Sequence, residues 1–183
     1  MLDRNYVYAL LDFDGYIAKS FYSGWSEEDP TNFDECLQIM NNMQRYAYNK
    51  MKRRFPKKNV CLIKVISGHS FKKDLYPSYK AQRPNDDFLE MYRELVKEFE
   101  EDEGYRSEES TVIIASNLEA DDVLVQTHHK HEFDSVVFSD DKDLHKYCRW
   151  ACKLAEEEKI NEDKYGINNQ LIQMIAGDTV DNI

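Results

Sequence analysis

"YVYALLDFDG" (residues 6–15) is a run of strand-forming residues that closes on two carboxylates and a glycine. It is apolar almost throughout, so it reads as a buried strand rather than one with a solvated face. Carboxylates at the tip of such a strand cost free energy unless a cation meets them. Asp12 and Asp14 therefore raise a choice between two chemistries: nucleophilic attack on phosphorus by Asp12, or retention of divalent ions by both.

Four further runs repeat the pattern: "NVCLIKVI" (59–66), "TVIIAS" (111–116), "SVVFS" (135–139) and "WACKL" (150–154). Helical patterns near 33–52, 86–101, 120–131 and 167–176 lie between or after them. This alternation predicts an α/β fold with a parallel sheet covered by helices. A polar loop, "EDEGYRSEES" (101–110), interrupts it without marking a domain boundary. The 183 residues, 42% hydrophobic and 32% charged, suffice for one domain with a full core.

The net charge of −11 runs against binding of a polyanion, but it is unevenly spread. "RYAYNKMKRRFPKK" (45–58) carries seven basic residues and no acid, whereas residues 86–109 carry eleven acids against Arg93, Lys97 and Arg106. Both stretches suit solvated helix faces; the first also suits a phosphate-facing surface. Cys36, Cys61, Cys148 and Cys152 form no paired CxxC metal pattern and read as reduced thiols of a cytoplasmic protein. The charged start "MLDRNYVY" has no signal core, and no run approaches the ~18 apolar residues of a membrane span.

Ligands of open α/β sheets bind beyond the carboxyl ends of the strands. Acids recur there: Asp12 and Asp14 after the first strand, "NLEADD" after the third, "SDDKDL" after the fourth, and "GDTVDNI" after the last helix. One acidic turn is ordinary helix capping, since first-turn acids gain a few tenths of a kcal/mol from the macrodipole. Four converging elements ask for more. Helical spacing turns Glu119 and Asp122 one way and Asp121 another. Asp141 and Asp143 sit at a strand-to-helix turn, and Asp178 and Asp181 lie a helical turn apart. Period two would place Asp12 and Asp14 on one side of their strand. These nine carboxylates would repel one another unless divalent cations intervened. Oxygen ligands without histidine or cysteine select Mg²⁺ or Mn²⁺ over zinc. Two such ions suit phosphodiester hydrolysis and would let an acidic protein approach a polyanion.

"LLDFDG", "FKKDLYPSYKAQR", "LEADDVL", "FSDDKDLHKY" and "KYGINNQLIQMIAGDTVDNI", in that order, resemble the motifs of the 5′-nuclease superfamily: flap endonucleases, phage 5′–3′ exonucleases, phage ribonuclease H and the 5′-nuclease domain of bacterial DNA polymerase I. The resemblance spans nearly the whole chain. It implies a PIN-like (Rossmann-like), mostly parallel central sheet flanked by helices. It also implies a 5′–3′ exonuclease or flap endonuclease using two Mg²⁺ (or Mn²⁺) on DNA (5′ flap, nicked or branched duplex) or on an RNA–DNA hybrid. By position, Glu119, Asp121 and Asp12 or Asp14 would hold the first metal. Asp141, Asp143 and Asp178 would hold the second, with Asp122 and Asp181 in or near its shell. Lys80 and Arg83 of "SYKAQR" would contact the scissile phosphate, where a cation stabilises developing charge. Residues 71–79 correspond to a mobile arch for the 5′ strand, with Lys72 and Lys73 its basic contribution. Lys19 joins these as a nucleic-acid contact, and Tyr16, Phe21 and Tyr22 as stacking candidates, with core packing the competing role for the aromatics.

Two departures stand out. Ser67 occupies the place where the family usually carries another aspartate after the second strand. The family's helix–three-turn–helix element is expected to be absent, so a separate DNA-binding subunit or replication protein would supply the duplex grip. Two rival readings fit parts of the same sequence. "DFDG" and "GDTVD" resemble motifs of haloacid-dehalogenase-type phosphatases, with Asp12 as nucleophile, although Tyr16 replaces the usual threonine and "EADD" and "DKDL" are left without a role. The other is a non-catalytic, nuclease-like module that binds DNA ends or a replication partner.

Overall fold

The computed structural model describes residues 5–68, 70–79, 86–101 and 110–154. Lys80, Arg83, Asp178, Asp181, the helix expected at 167–176 and residues 102–109 of the polar loop lie outside them, as does the side chain of Lys73.

Five strands form one parallel sheet in the order β3-β2-β1-β4-β5: β1 (Tyr6–Asp12), β2 (Asn59–Ser67), β3 (Ser110–Ala115), β4 (Ser135–Phe138) and β5 (Ala151–Cys152). The expected strands are all present. β1 lies at the centre and is buried from Val7 to Asp12. Period two divides it between two cores: Val7, Ala9 and Leu11 face one, Tyr8 and Leu10 the other. The first core is closed by α1 (Phe13–Gly24), α2 (Asp34–Arg54) and α4 (Asp87–Glu101), the second by α5 (Ala120–Lys130) and α6 (Lys142–Tyr147). A short helix, α3 (Phe71–Leu75), follows β2.

Strand order reverses between β1 and β4, so the crevice beyond their carboxyl ends is the topological switch point. Leu11 pairs with Phe138, which sets Asp12 beside Ser139 at that point. At the β2–β3 end, a Cβ on Gly68 would come within 2.0 Å of the Ala115 carbonyl oxygen. Only glycine allows that approach.

Helix α1 corrects the period-two reading of "DFDG". The strand ends at Asp12, whose side chain caps the helix by accepting a hydrogen bond from the Gly15 amide at 3.2 Å. Asp14 already belongs to the first helical turn. The buried positions Phe13, Tyr16, Ile17, Ser20 and Phe21 follow a helical spacing that anchors α1 to the sheet.

One buried ion pair ties the α4 layer down. Lys64 of β2 makes two contacts to the Glu100 carboxylate, at 2.6 and 2.7 Å, and its ammonium lies 5.4 Å from the Phe13 ring centroid. Both ends are buried. All four cysteines are free thiols. Among the described residues no helix is long and apolar enough to cross a membrane.

Candidate functional site

The carboxyl edge of the sheet collects acids from three elements. Asp12 and Asp14 come from the β1–α1 junction. Glu119 is the N-cap of α5 and forms a capping box with Asp122, so those two face the same way as the spacing predicts. Asp141 is the N-cap of α6, its side chain accepting from the Asp143 amide at 2.7 Å. The chain reaches α5 through Asn117, whose φ of 59° is left-handed, a conformation that asparagine tolerates.

Asp12, like Glu119, is 8% exposed. Its Oδ2 accepts a 2.5 Å hydrogen bond from the Ser139 hydroxyl. Ser139 is fixed in turn: its hydroxyl oxygen accepts the Asp141 amide at 2.9 Å, and its carbonyl accepts His145 Nε2 at 2.7 Å. Burial, opposed by the Ser139 and Gly15 hydrogen bonds and aided by the neighbouring charges of Asp14 and Asp141, raises the Asp12 pKa to about 6. Among the described residues no cation pairs with Asp12. A Cβ on Gly15 would lie 2.8 Å from Asp12 Oδ2, so the D-x-x-G spacing leaves room for this carboxylate.

Asp14, Glu119, Asp122 and Asp143 are met by the chain's own cations. Arg93 of α4 approaches Asp14 Oδ1 at 2.7 Å, an ion pair outside hydrogen-bond alignment, while donating to the Ser67 carbonyl at 3.1 Å. The Ser67 amide donates to Asp14 Oδ2 at 2.8 Å, and the Ser67 hydroxyl accepts from the Ala120 amide at 2.8 Å. Ser67, where the resemblance implies a carboxylate, thus joins α1, α4 and α5. Lys72 bridges Glu119 (2.8 Å) and Asp122 (3.1 Å), and the Tyr79 hydroxyl donates to Glu119 at 2.9 Å. Burial works to lower the Lys72 pKa, but Glu119 and Asp122 outweigh it and raise it. Lys19 pairs with Asp140 at 2.6 Å, and Lys146 with Asp143 at 3.0 Å. The charge of Asp121 helps burial raise the pKa of the Cys148 thiol.

Several expected roles change accordingly. Tyr16 and Phe21 are 0% and 1% exposed and belong to the core, so neither offers a face to a base. Tyr22, 64% exposed, remains available. Lys19 and Lys72 are engaged with carboxylates rather than projecting freely. Around Lys72, the segment 71–79 carries the exposed side chains of Phe71, Leu75 and Tyr76. Arg93, Ser139, Tyr79, Asp140 and His145 were not singled out in the sequence. Only the acid run "SDDKD" signalled Asp140; the others act through partners distant in the chain.

Among the described residues, no three carboxylates, histidines or cysteines gather in a group able to hold a metal ion. The donor chemistry nonetheless fits a hard divalent cation: the acids are oxygen donors, and buried Asp12 faces two further carboxylates with only a hydroxyl and an amide for company.

Residues 7–173 match the family described as 5′-3′ exonuclease, N-terminal resolvase-like domain. The chain belongs to this family. Its fold is similar to that of the T5 D15 protein co-crystallised with metal ions, with a TM-score of 0.60 and 13% identity over 96% of this chain and 68% of that one. A bacteriophage T5 D15 flap endonuclease, in a pseudo-enzyme–product complex with DNA and metal ions, matches with a TM-score of 0.55 and 14% identity over 96% and 68%. The T5 5′-exonuclease with bound zinc gives 0.51 and 16% over 97% and 69%. No curated protein matches the chain. Membership of the 5′-3′ exonuclease family agrees with the all-parallel sheet and with acids at its switch point.

Proposed function

We propose that the chain is a divalent-metal-dependent 5′ nuclease, cleaving phosphodiester bonds near 5′ ends of DNA or of RNA–DNA hybrids as an exonuclease or flap endonuclease. The observation that carries the reading is Asp12: a buried carboxyl at the switch point, facing Asp14 and Asp141, with no cationic partner among the described residues. Family membership and the DNA bound by a T5 structural neighbour support the substrate class.

Glu119, Asp121 and Asp12 or Asp14 would hold one Mg²⁺ or Mn²⁺. Asp141, Asp143 and Asp178 would hold the other, with Asp122 and Asp181 beside it. Bound there, such ions lower the pKa of water and offset phosphate charge. The chain's own residues orient and neutralise. Ser139, pinned by His145 and the Asp141 amide, aims the Asp12 carboxyl. Tyr79 and Lys72 hold one Glu119 oxygen, and Arg93 with the Ser67 amide fixes Asp14. Lys80 and Arg83 are assigned to the scissile phosphate, and Tyr22 to an unpaired base.

A 5′-flap or nicked duplex incubated with Mn²⁺ or Mg²⁺ tests this. Short 5′ fragments are expected, abolished by chelator and by Asp141→Asn, a substitution that keeps a good helix N-cap. Loss of at least ~100-fold is expected, the scale on which removed charge-stabilising groups act. Undiminished cleavage by Asp141→Asn would overturn the assignment, and turnover of a phosphomonoester dye lost with Asp12→Asn would select phosphatase chemistry. The pairing of Asp14, Glu119, Asp122 and Asp143 with the chain's own cations favours one second reading, a non-catalytic binding module. It predicts retained binding of branched DNA with no cleavage.

A further inference from the structure

The basic segment 45–58 plays no part at the carboxylate edge. Helix α2 runs against the strands, so its last turn and the Phe55–Lys58 turn meet the start of β2, at the opposite edge of the sheet. On α2 the buried positions Met40, Met43, Gln44, Ala47 and Met51 face the core. Arg45, Asn49 and Arg53, spaced i, i+4 and i+8, form an exposed row on the outer face, and exposed Lys57 continues it past the helix end. Lys52 reaches the Lys58 carbonyl at 3.1 Å. Among the described residues Arg45, Arg53 and Lys57 have no anionic partner.

Beside them Arg54 stacks on Trp150, its guanidinium 4.3 Å from the ring centroid, with Arg149 5.4 Å from the same ring. Trp150 precedes β5 and so lies toward the same edge. Arg149 is paired with Glu132 at 2.9 Å. Cations in a last helical turn gain a few tenths of a kcal/mol from the macrodipole. That accounts for Lys52, Arg53 and Arg54, but not for Arg45 two turns earlier or for Lys57 beyond the end. In a chain of net charge −11, such a concentration of positive charge without intervening acid is complementary to a polyanion.

We propose that Arg45, Arg53 and Lys57, with the Arg54–Trp150–Arg149 stack beside them, form a second nucleic-acid surface, which grips duplex phosphate backbone remote from the carboxylate edge. The choice of nucleic acid as the polyanion rests on the nuclease reading. The seven residues of β1 span roughly 23 Å, so the Arg53–Lys57 end of the surface is about a strand's length from the active edge, with Arg45 about 12 Å nearer to it. The surface would hold duplex independently of its ends.

Binding to a covalently closed dumbbell duplex of about 30 base pairs, which has no 5′ end to cut, tests the proposal by fluorescence anisotropy in EDTA at several salt concentrations. The triple variant Arg45→Gln, Arg53→Gln, Lys57→Gln changes only exposed side chains, and an unshifted thermal melt confirms its fold. Affinity is expected to fall about tenfold or more at 50 mM salt, with the slope of log K against log salt shallower by about 2.7 for three lost phosphate contacts. Coincident affinities and slopes would overturn the proposal, as would failure of the unsubstituted protein to bind the dumbbell. Turnover of bis(p-nitrophenyl) phosphate with Mn²⁺ reads the carboxylate edge separately. Its absence would count against the nuclease reading while leaving the salt slope a valid test of the surface.

Discussion

Asp12 bears a thermodynamic penalty that its neighbours do not relieve. Its carboxyl titrates near 6 in the fold and at 3.8 in the unfolded chain. Between those values the folded state retains a proton that the unfolded state has shed, so stability falls as pH rises through the window. Above it the penalty is fully present, on the order of 3 kcal/mol. His128 acts in the opposite sense. Burial lowers its pKa to about 4, helped by His129, so its contribution is fully present above 6.5 and is lost as pH falls toward 4. Its Nε2 accepts the Trp150 amide, which leaves Nδ1 to donate to the Ser135 hydroxyl at 2.9 Å. Asp12→Asn isolates the first effect. The amide can still accept from Gly15 and meet Ser139, so urea unfolding in EDTA at pH 8 should show it more stable by about 1–3 kcal/mol, a gain that fades as pH drops below 6 toward 4. A variant less stable than the parent at pH 8 would contradict the assigned penalty. The sequence announced this residue, because a carboxylate ending an apolar run is conspicuous. It did not announce Ser139, Arg93 or Tyr79, since nothing local distinguishes a residue whose partner lies dozens of positions away.

The elements differ in how openly the chain declares them. The strands were readable because buried parallel strands are continuous β-branched and apolar runs. The long helices α2, α4 and α5 were readable from their length and period. Helix α1 was obscured by Gly15 and by the D-x-D spacing, which invites a period of two. Its true signal is the 3.6-residue period of Phe13, Tyr16, Ile17, Ser20 and Phe21. Helices α3 and α6, of five and six residues, are too short for a period to emerge. The Lys64–Glu100 pair shows what one element asks of another. It clamps the end of α4 to β2, and α4 delivers Arg93 to Asp14. Glu100→Gln would leave a buried ammonium without its counter-charge, a change expected to cost about 3–5 kcal/mol of unfolding free energy measured in urea. Replacing both partners, Lys64→Met with Glu100→Leu, should recover most of that loss. A single substitution costing under ~1 kcal/mol would mean that water reaches the pair and that packing alone holds α4.

At the scale of the whole molecule, charge sets the terms. A net charge of −11, with carboxylates from several elements brought to one edge, opposes compaction through self-repulsion. The chain answers locally with Lys19, Lys72, Arg93 and Lys146 but leaves Asp12 and Asp141 without such an answer among the described residues. A divalent ion that binds only the folded edge adds stability as RT ln(1 + [L]/Kd), about 2.7 kcal/mol at a hundredfold excess over Kd. In a chain of this length each kcal/mol moves the midpoint by roughly 2–4 °C, so millimolar Mn²⁺ should raise the melting temperature by about 5–10 °C over EDTA. Sodium chloride at matched ionic strength screens the surface without coordinating and should give less than half of that rise. Asp12→Asn, already relieved of its buried charge, should start higher in EDTA and gain less from Mn²⁺. Equal shifts from Mn²⁺ and from sodium chloride would mean that the edge attracts cations only diffusely. The acids would then be a solvated rim, and hydrolysis of a phosphodiester there would lose its physical basis.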